Sequence, residues 1–224
     1  MKVTTVYDNE VYPDADASAT GLKGEWGFSC LIEVSGERIL FDTGGDGSIL
    51  LHNMGRLGID PEDLGKVVLS HEHWDHAGGI PDLLDLNRDA EIYLLASFSE
   101  LFKSKIRNPV IEVNVSAEIC DLVCTTGELG SDIREQSLVL ETKNGVVVVT
   151  GCAHPGIGAI MGRASEFGEI CGIMGGFHGF CDYPVLNGMK FLSPCHCTQH
   201  LQEIASRFPG AYQRNGVGRV FTFE

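Results

Sequence analysis

The sequence predicts an α/β fold, and three observations carry that prediction. Short apolar runs of strand character alternate with amphipathic helical stretches through the first half of the chain. An Asn144-Gly145 pair between two alternating runs marks a β-hairpin in the second half. Histidine-bearing loops follow directly on the apolar runs, as they do when loops gather along one edge of a sheet. Taken in order, residues 2–8 alternate as an edge strand. Residues 9–26, rich in Asp, Ala, Ser and Gly, read as a loop that can overhang a site. Residues 27–34 and 38–41 form a hairpin around Ser35-Gly36-Glu37, and Asp42 ends its second strand. Leu50, Leu51, Met54 and Leu57 stand at helical spacing, so 47–57 is a core-facing helix with His52 on its outer side. A strand at 66–70, a helix at 79–86, a strand at 91–95 and a helix at 97–106 follow.

The second half repeats this grammar. It gives a short strand at 122–126, the hairpin 137–142 and 146–150, a helix at 157–167 and an apolar run at 169–174. A strand at 190–193, a helix at 199–207 and a closing strand at 218–223 complete it. No stretch is left over for a second domain, so 1–224 is read as one unit with a full core.

Composition excludes several functions. No apolar run approaches the length that crosses a bilayer, so no membrane partner is expected. The first eight residues read as a strand rather than a signal peptide, which points to the cytoplasm. A net charge of −15 argues against nucleic acid, which calls for a basic track, and leaves a small-molecule substrate as the expected partner. Eight cysteines without an export signal are expected to be reduced thiols. Cys30 and Cys171 read as small buried residues, and neither Cys120-x-x-x-Cys124 nor Cys195-x-Cys197 makes a metal motif by itself.

The densest chemistry lies in Ser70-His71-Glu72-His73-Trp74-Asp75-His76-Ala77-Gly78-Gly79. Side chains at i and i+2 of an extended segment point the same way, so His71 and His73 can grip one cation. As the chain turns, Asp75 and His76 are carried to the other side, where they can hold a second. Imidazole with carboxylate suits zinc, with iron or manganese as alternatives, better than calcium or magnesium. Glu72 reads as solvent-facing or supporting, and Trp74 as a wall of the mouth. His154, His178 and His196 each follow an apolar run and have small neighbours, which puts them in reach of the same edge.

His-x-His-x-Asp-His after a strand is the signature of the metallo-β-lactamase superfamily, and the chain resembles its members from about residue 27 to residue 200. Phe41-Asp42-Thr43-Gly44 resembles the family's early strand-end Asp, which braces the metal loop. The resemblance implies an αββα sandwich of the metallo-β-lactamase type, two mixed β-sheets flanked by helices. Gly151-Cys152-Ala153-His154-Pro155-Gly156, Gly175-Gly176-Phe177-His178 and Cys195-His196-Cys197-Thr198 resemble one subgroup in particular. That subgroup, found mainly in archaea and anaerobic bacteria, is known by the name pterin–ribofuranosylaminobenzene-phosphate synthase and is related to dihydropteroate synthesis.

The chain also departs from the family. Most members carry a His before the hairpin and a metal-bridging Asp after it. Here the first position reads Ile133-Arg134-Glu135-Gln136-Ser137, and Thr150-Gly151-Cys152 stands where Thr-x-Asp is expected. His154 is read as the substitute ligand, and Cys152 as a buried neighbour that packs beside the metals, although a thiolate there would favour zinc or iron. The resemblance then implies one cation on His71, His73 and His154 and another on Asp75, His76 and His196, with one or two ions per chain. Asp75 would also orient the nucleophile and His178 protonate the leaving oxygen. The expected activity is attack of a metal-activated hydroxide on a small ester, lactone or phosphoester, including a pterin- or ribose-phosphate-related metabolite. The alternative is an iron/thiol redox or sensor protein on the same fold. His73 counts against it, because oxygen-reducing members carry Glu at that place, while the eight cysteines count for it.

Overall fold

The computed structural model describes residues 1–15 and 20–224, so the centre of the predicted loop at 9–26 lies outside the described residues. Two sheets stack face to face. The first has seven strands in the order β13-β1-β2-β3-β4-β5-β6: Val220–Thr222, Lys2–Tyr7, Ser29–Val34, Glu37–Phe41, Lys66–Val68, Glu91–Leu95 and Val110–Val113. The second has six in the order β12-β11-β10-β9-β8-β7: Phe191–Cys195, Ile170–Gly176, Gly145–Thr150, Leu138–Thr142, Val123–Gly127 and Val115–Cys120. Helices α1 (Gly47–Arg56), α3 (Ile80–Leu86) and α4 (Glu100–Lys103) cover the first sheet, and α5 (Ile157–Ala164) and α6 (Leu201–Arg207) cover the second. Between β4 and α3 lies the one-turn α2 (Trp74–Ala77). This is the αββα sandwich expected.

Period-two alternation sorts the strands into three apolar layers. In β2, Cys30 and Ile32 face the layer between the sheets while Leu31 faces α1. In β10, Val147 and Val149 face that middle layer, and Val146 and Val148 pack under α5. Each such fully buried aliphatic side chain contributes roughly 1.5–3 kcal/mol of burial free energy. No helix among the described residues is long and apolar enough to cross a membrane.

The parallel parts of the two sheets place the site. β3, β4 and β5 run parallel, as do β10, β11 and β12, so their carboxyl ends open on one edge. Asp42, the 70–76 loop, the 151–154 turn, His178 and His196 all follow those ends.

Several expected elements shift. The hairpin loop is the two residues Lys143 and Asn144, because Gly145 already pairs with Thr142 in the ladder. The helix expected over 97–106 shrinks to α4, which begins only after Ser99 caps it at the Phe102 amide. β6 and β7, which link the two sheets, were not expected; their faces are largely exposed and lack a clean apolar alternation.

Candidate metal centre

The 70–76 loop is fixed from beneath by Asp42. One carboxylate oxygen of Asp42 accepts the Ser70 amide at 2.7 Å, and the other accepts the Ser70 hydroxyl and His76 Nδ1, each at 2.7 Å. Since the Ser70 hydroxyl donates to Asp42, its oxygen accepts from His71 Nδ1 at 2.9 Å. This pattern assigns Nδ1–H tautomers to His71 and His76 and leaves both Nε2 lone pairs for the site. His196 is treated alike, with Nδ1 3.1 Å from Asn9 Oδ1.

The second sheet supplies the facing wall. Glu135 is buried under the 151–154 turn, where its carboxylate accepts from the Thr150 hydroxyl and from the amides of Gly151, Cys152, Ala153 and His154 at 2.9–3.0 Å. Burial raises its carboxyl above the ordinary value, against the pull of these donors. A Cβ on Gly151 would be built into Ser70 Oγ and lie 3.2 Å from Asp42 Oδ2, so only glycine lets the two walls come this close. Asp42, Ala153, His178 and His196 all hold φ between 46° and 59°, a conformation uncommon for non-glycine residues and concentrated at functional sites.

Two groups of donor atoms result, each within 4.8 Å internally: Asp75, His76, Cys152 and His196 in one, and His71, Cys152 and His154 in the other. His73 stands beside the second group, its ring centroid 4.5 Å from that of His71 and 5.0 Å from that of His154. His178 lies outside both, with its ring 5.2 Å from His154. Among the described residues the Nε2 atoms of His71, His154 and His196 are buried without a hydrogen-bond partner, and that of His196 lies 3.3 Å from Asp75 Oδ2. Burial, reinforced by neighbouring imidazoles, holds His71 well below the usual histidine range and His154 at about 4, and burial also lowers His196. For Asp75 burial works the other way, yet His196, His76 and the Trp26 N–H hold its carboxylate well below the ordinary range. His76 differs: burial lowers it, but Asp42 and Asp75 outweigh that and raise it, so a cation there would displace its proton. Three neutral imidazoles beside an ionised carboxylate are the protonation states a divalent cation requires, so the residues fit a metal.

Cys152 is buried at the meeting point of the two groups. Read as a packing neighbour, it has its sulfur 3.0 Å from His76 Nε2 and belongs to both donor groups. A hydrogen bond shared with Cys197, and burial, push its thiol above the ordinary value. Glu135 was passed over for lack of a motif, as were Asn9 and Trp26, whose indole N–H donates to Asp75 Oδ2 at 2.9 Å. Trp74 is 63% exposed at the mouth, and Glu72 turns away to accept from the amide and hydroxyl of Ser99. On the His71 side the site opens into a cleft of about 250 Å³ lined in part by His73, Phe98, Ile133 and Arg134.

Residues 27–112 match the family model of the metallo-β-lactamase superfamily. The whole chain superposes with a TM-score of 0.80 on the crystal structure of a metal-dependent hydrolase of the β-lactamase superfamily, at 26% identity and over 99% of that chain. The chain resembles the metallo-β-lactamase superfamily in sequence over that stretch and in fold over its whole length. Among the relatives it is similar to is the 7,8-dihydropterin-6-methyl-4-(beta-D-ribofuranosyl)-aminobenzene-5'-phosphate synthase of Methanocaldococcus jannaschii, 24% identical over the whole of this chain and 99% of its own. Human tRNase Z, short form, shares the fold with a TM-score of 0.67 over the full length of both chains, at 15% identity.

Proposed function

We propose that the chain is a metal-dependent hydrolase of a small ester, lactone or phosphoester. The observation that carries this reading is the set of three buried Nε2 atoms, of His71, His154 and His196, that have no hydrogen-bond partner among the described residues, the last of them 3.3 Å from the ionised Asp75 carboxylate. Buried nitrogens left in this state cost free energy unless a ligand takes their lone pairs. In this reading His71, His73 and His154 hold one cation, and Asp75, His76 and His196 the other. Zinc is the expected metal, and iron or manganese would suit the same donors. A bound pair of such cations makes water acidic enough to act as a nucleophile near neutral pH and polarises the group attacked.

The chain's own residues do the rest. Asp75 accepts a hydrogen bond from the attacking water and orients it, while Trp26 keeps the carboxylate in place. His178, at the open side of His154, gives a proton to the leaving oxygen. The net charge of −15 supports a small molecule over nucleic acid, and eight free thiols suit a reducing cytoplasm. The methanogen relative is named a synthase, and the ribofuranosyl phosphate in its name is a reason to include pterin- and ribose-phosphate esters among the substrates tried.

The test is elemental analysis of anaerobically purified protein, with the same preparation assayed on phosphodiester, lactone and thioester substrates. About two zinc, iron or manganese ions per chain with turnover are expected, and Asp75→Ala should abolish that turnover. Undiminished hydrolysis by Asp75→Ala would overturn the reading. An iron/thiol redox protein is the second reading, favoured by the Cys152 and Cys197 sulfurs beside the site. Iron alone, no hydrolysis and a reversible absorbance change on oxidation would decide for it.

A further inference from the structure

We propose that Cys152 is a bridging thiolate, one sulfur shared by both cations. The inference rests on the metal-centre reading above and adds to it the ligand that joins the two halves. Cys152 is the one residue present in both donor groups, and it is buried with its sulfur 3.0 Å from His76 Nε2. An imidazole nitrogen has a single lone pair and cannot serve two cations, whereas a thiolate sulfur has three. The group on the His71 side otherwise consists of neutral histidines, and a shared anion also screens the repulsion between two dications held close together. A soft bridge would favour zinc, iron or cobalt over manganese or magnesium.

The position of the sulfur is set by its backbone. The Cys152 amide is held by Glu135 at 3.0 Å, and the next residue, Ala153, is locked at a φ of 59°. On the other side the chain leans on Gly176, where a Cβ would lie 3.2 Å from Cys152 Cα and 2.7 Å from the Cys197 sulfur. Binding breaks the S–H bond: the proton leaves to solvent, and the sulfur lone pairs form the two metal bonds. Cys197 stays behind Cys152, and neither donor group includes it.

Cobalt(II) titration of the metal-free protein under anaerobic conditions tests this, read by the sulfur-to-cobalt charge-transfer band in the near ultraviolet. The band should rise with the first equivalent and rise again with the second, because both ions bind the same sulfur. Cys152→Asp should keep two cobalt ions but lose the band. Cys152→Ala should lose it too and bind more than about 10-fold more weakly, while Cys197→Ala should keep the band. A band that saturates at one equivalent, or survives in Cys152→Ala, overturns the bridge. Two bound ions with no band in the wild type also overturn it but leave the hydrolase reading intact. Failure of cobalt, zinc and iron all to bind overturns both.

Discussion

Beneath the 151–154 turn, the Glu135 carboxylate is surrounded by one hydroxyl and four consecutive amides. Glu135→Gln keeps its shape but turns an NH2 group toward donors that need an acceptor. The expected result is a loss on the order of 3 kcal/mol in urea unfolding of the metal-free protein, together with cation binding weakened about 10–100-fold in chelator competition. Unchanged affinity would mean that the turn keeps its shape without the carboxylate. At this scale the sequence was legible where spacing gathers donor atoms: His71, Asp75 and His76 fall within the two donor groups, and His73 stands beside one of them. Asp42 was legible as a strand end, although its three contacts were not. Glu135 and Cys152 were hidden for different reasons. The role of Glu135 exists only once the hairpin folds back over it, and a cysteine in a buried strand end looks the same whether it packs or binds.

Among the elements, α1 offers a change that separates stability from the site. Asp46 caps it by accepting from the Ser48 and Ile49 amides, and its carboxyl is lowered chiefly by the Ser48 side chain and the Ile49 amide. Asp46→Ala should cost about 1 kcal/mol in urea unfolding while cation affinity stays as in the wild type. A fall in affinity would show that the helix start and the metal loop are coupled. The helix itself was legible because Leu50 and Met54 repeat at the helical period and face the core. The hairpin was legible from its Asn-Gly turn, apart from a one-residue difference in where the ladder begins. β6 and β7 were not. Both are sheet edges with mostly exposed side chains, and an edge needs no apolar alternation to pair.

For the whole molecule, removal of metal should be felt as a loss of stability. The Nε2 atoms of His71, His154 and His196 are buried without a hydrogen-bond partner among the described residues, and a bound cation would take up their lone pairs. Zinc at about 100 times its dissociation constant should therefore add about 2.7 kcal/mol and raise the calorimetric melting temperature above that of the chelated protein. An identical melting temperature with and without zinc would argue that the native chain binds none. The αββα architecture was legible as a whole because alternation of strand and helix, joined to one loop signature, leaves few other packings. What could not be read was how close the two sheets come at the site, since that depends on Gly151 lying against Ser70.

Each donor group draws on both sheets: His71, Asp75 and His76 follow strand β4 of the first, and Cys152, His154 and His196 follow β10 and β12 of the second. A cation there would cross-link distant parts of the chain, closing a loop from residue 71 to 154 in one group and from 75 to 196 in the other, much as a disulfide would. Unlike a disulfide such a link would be reversible without an oxidant, so the supply of free metal would set how firmly the halves of the sandwich are fastened.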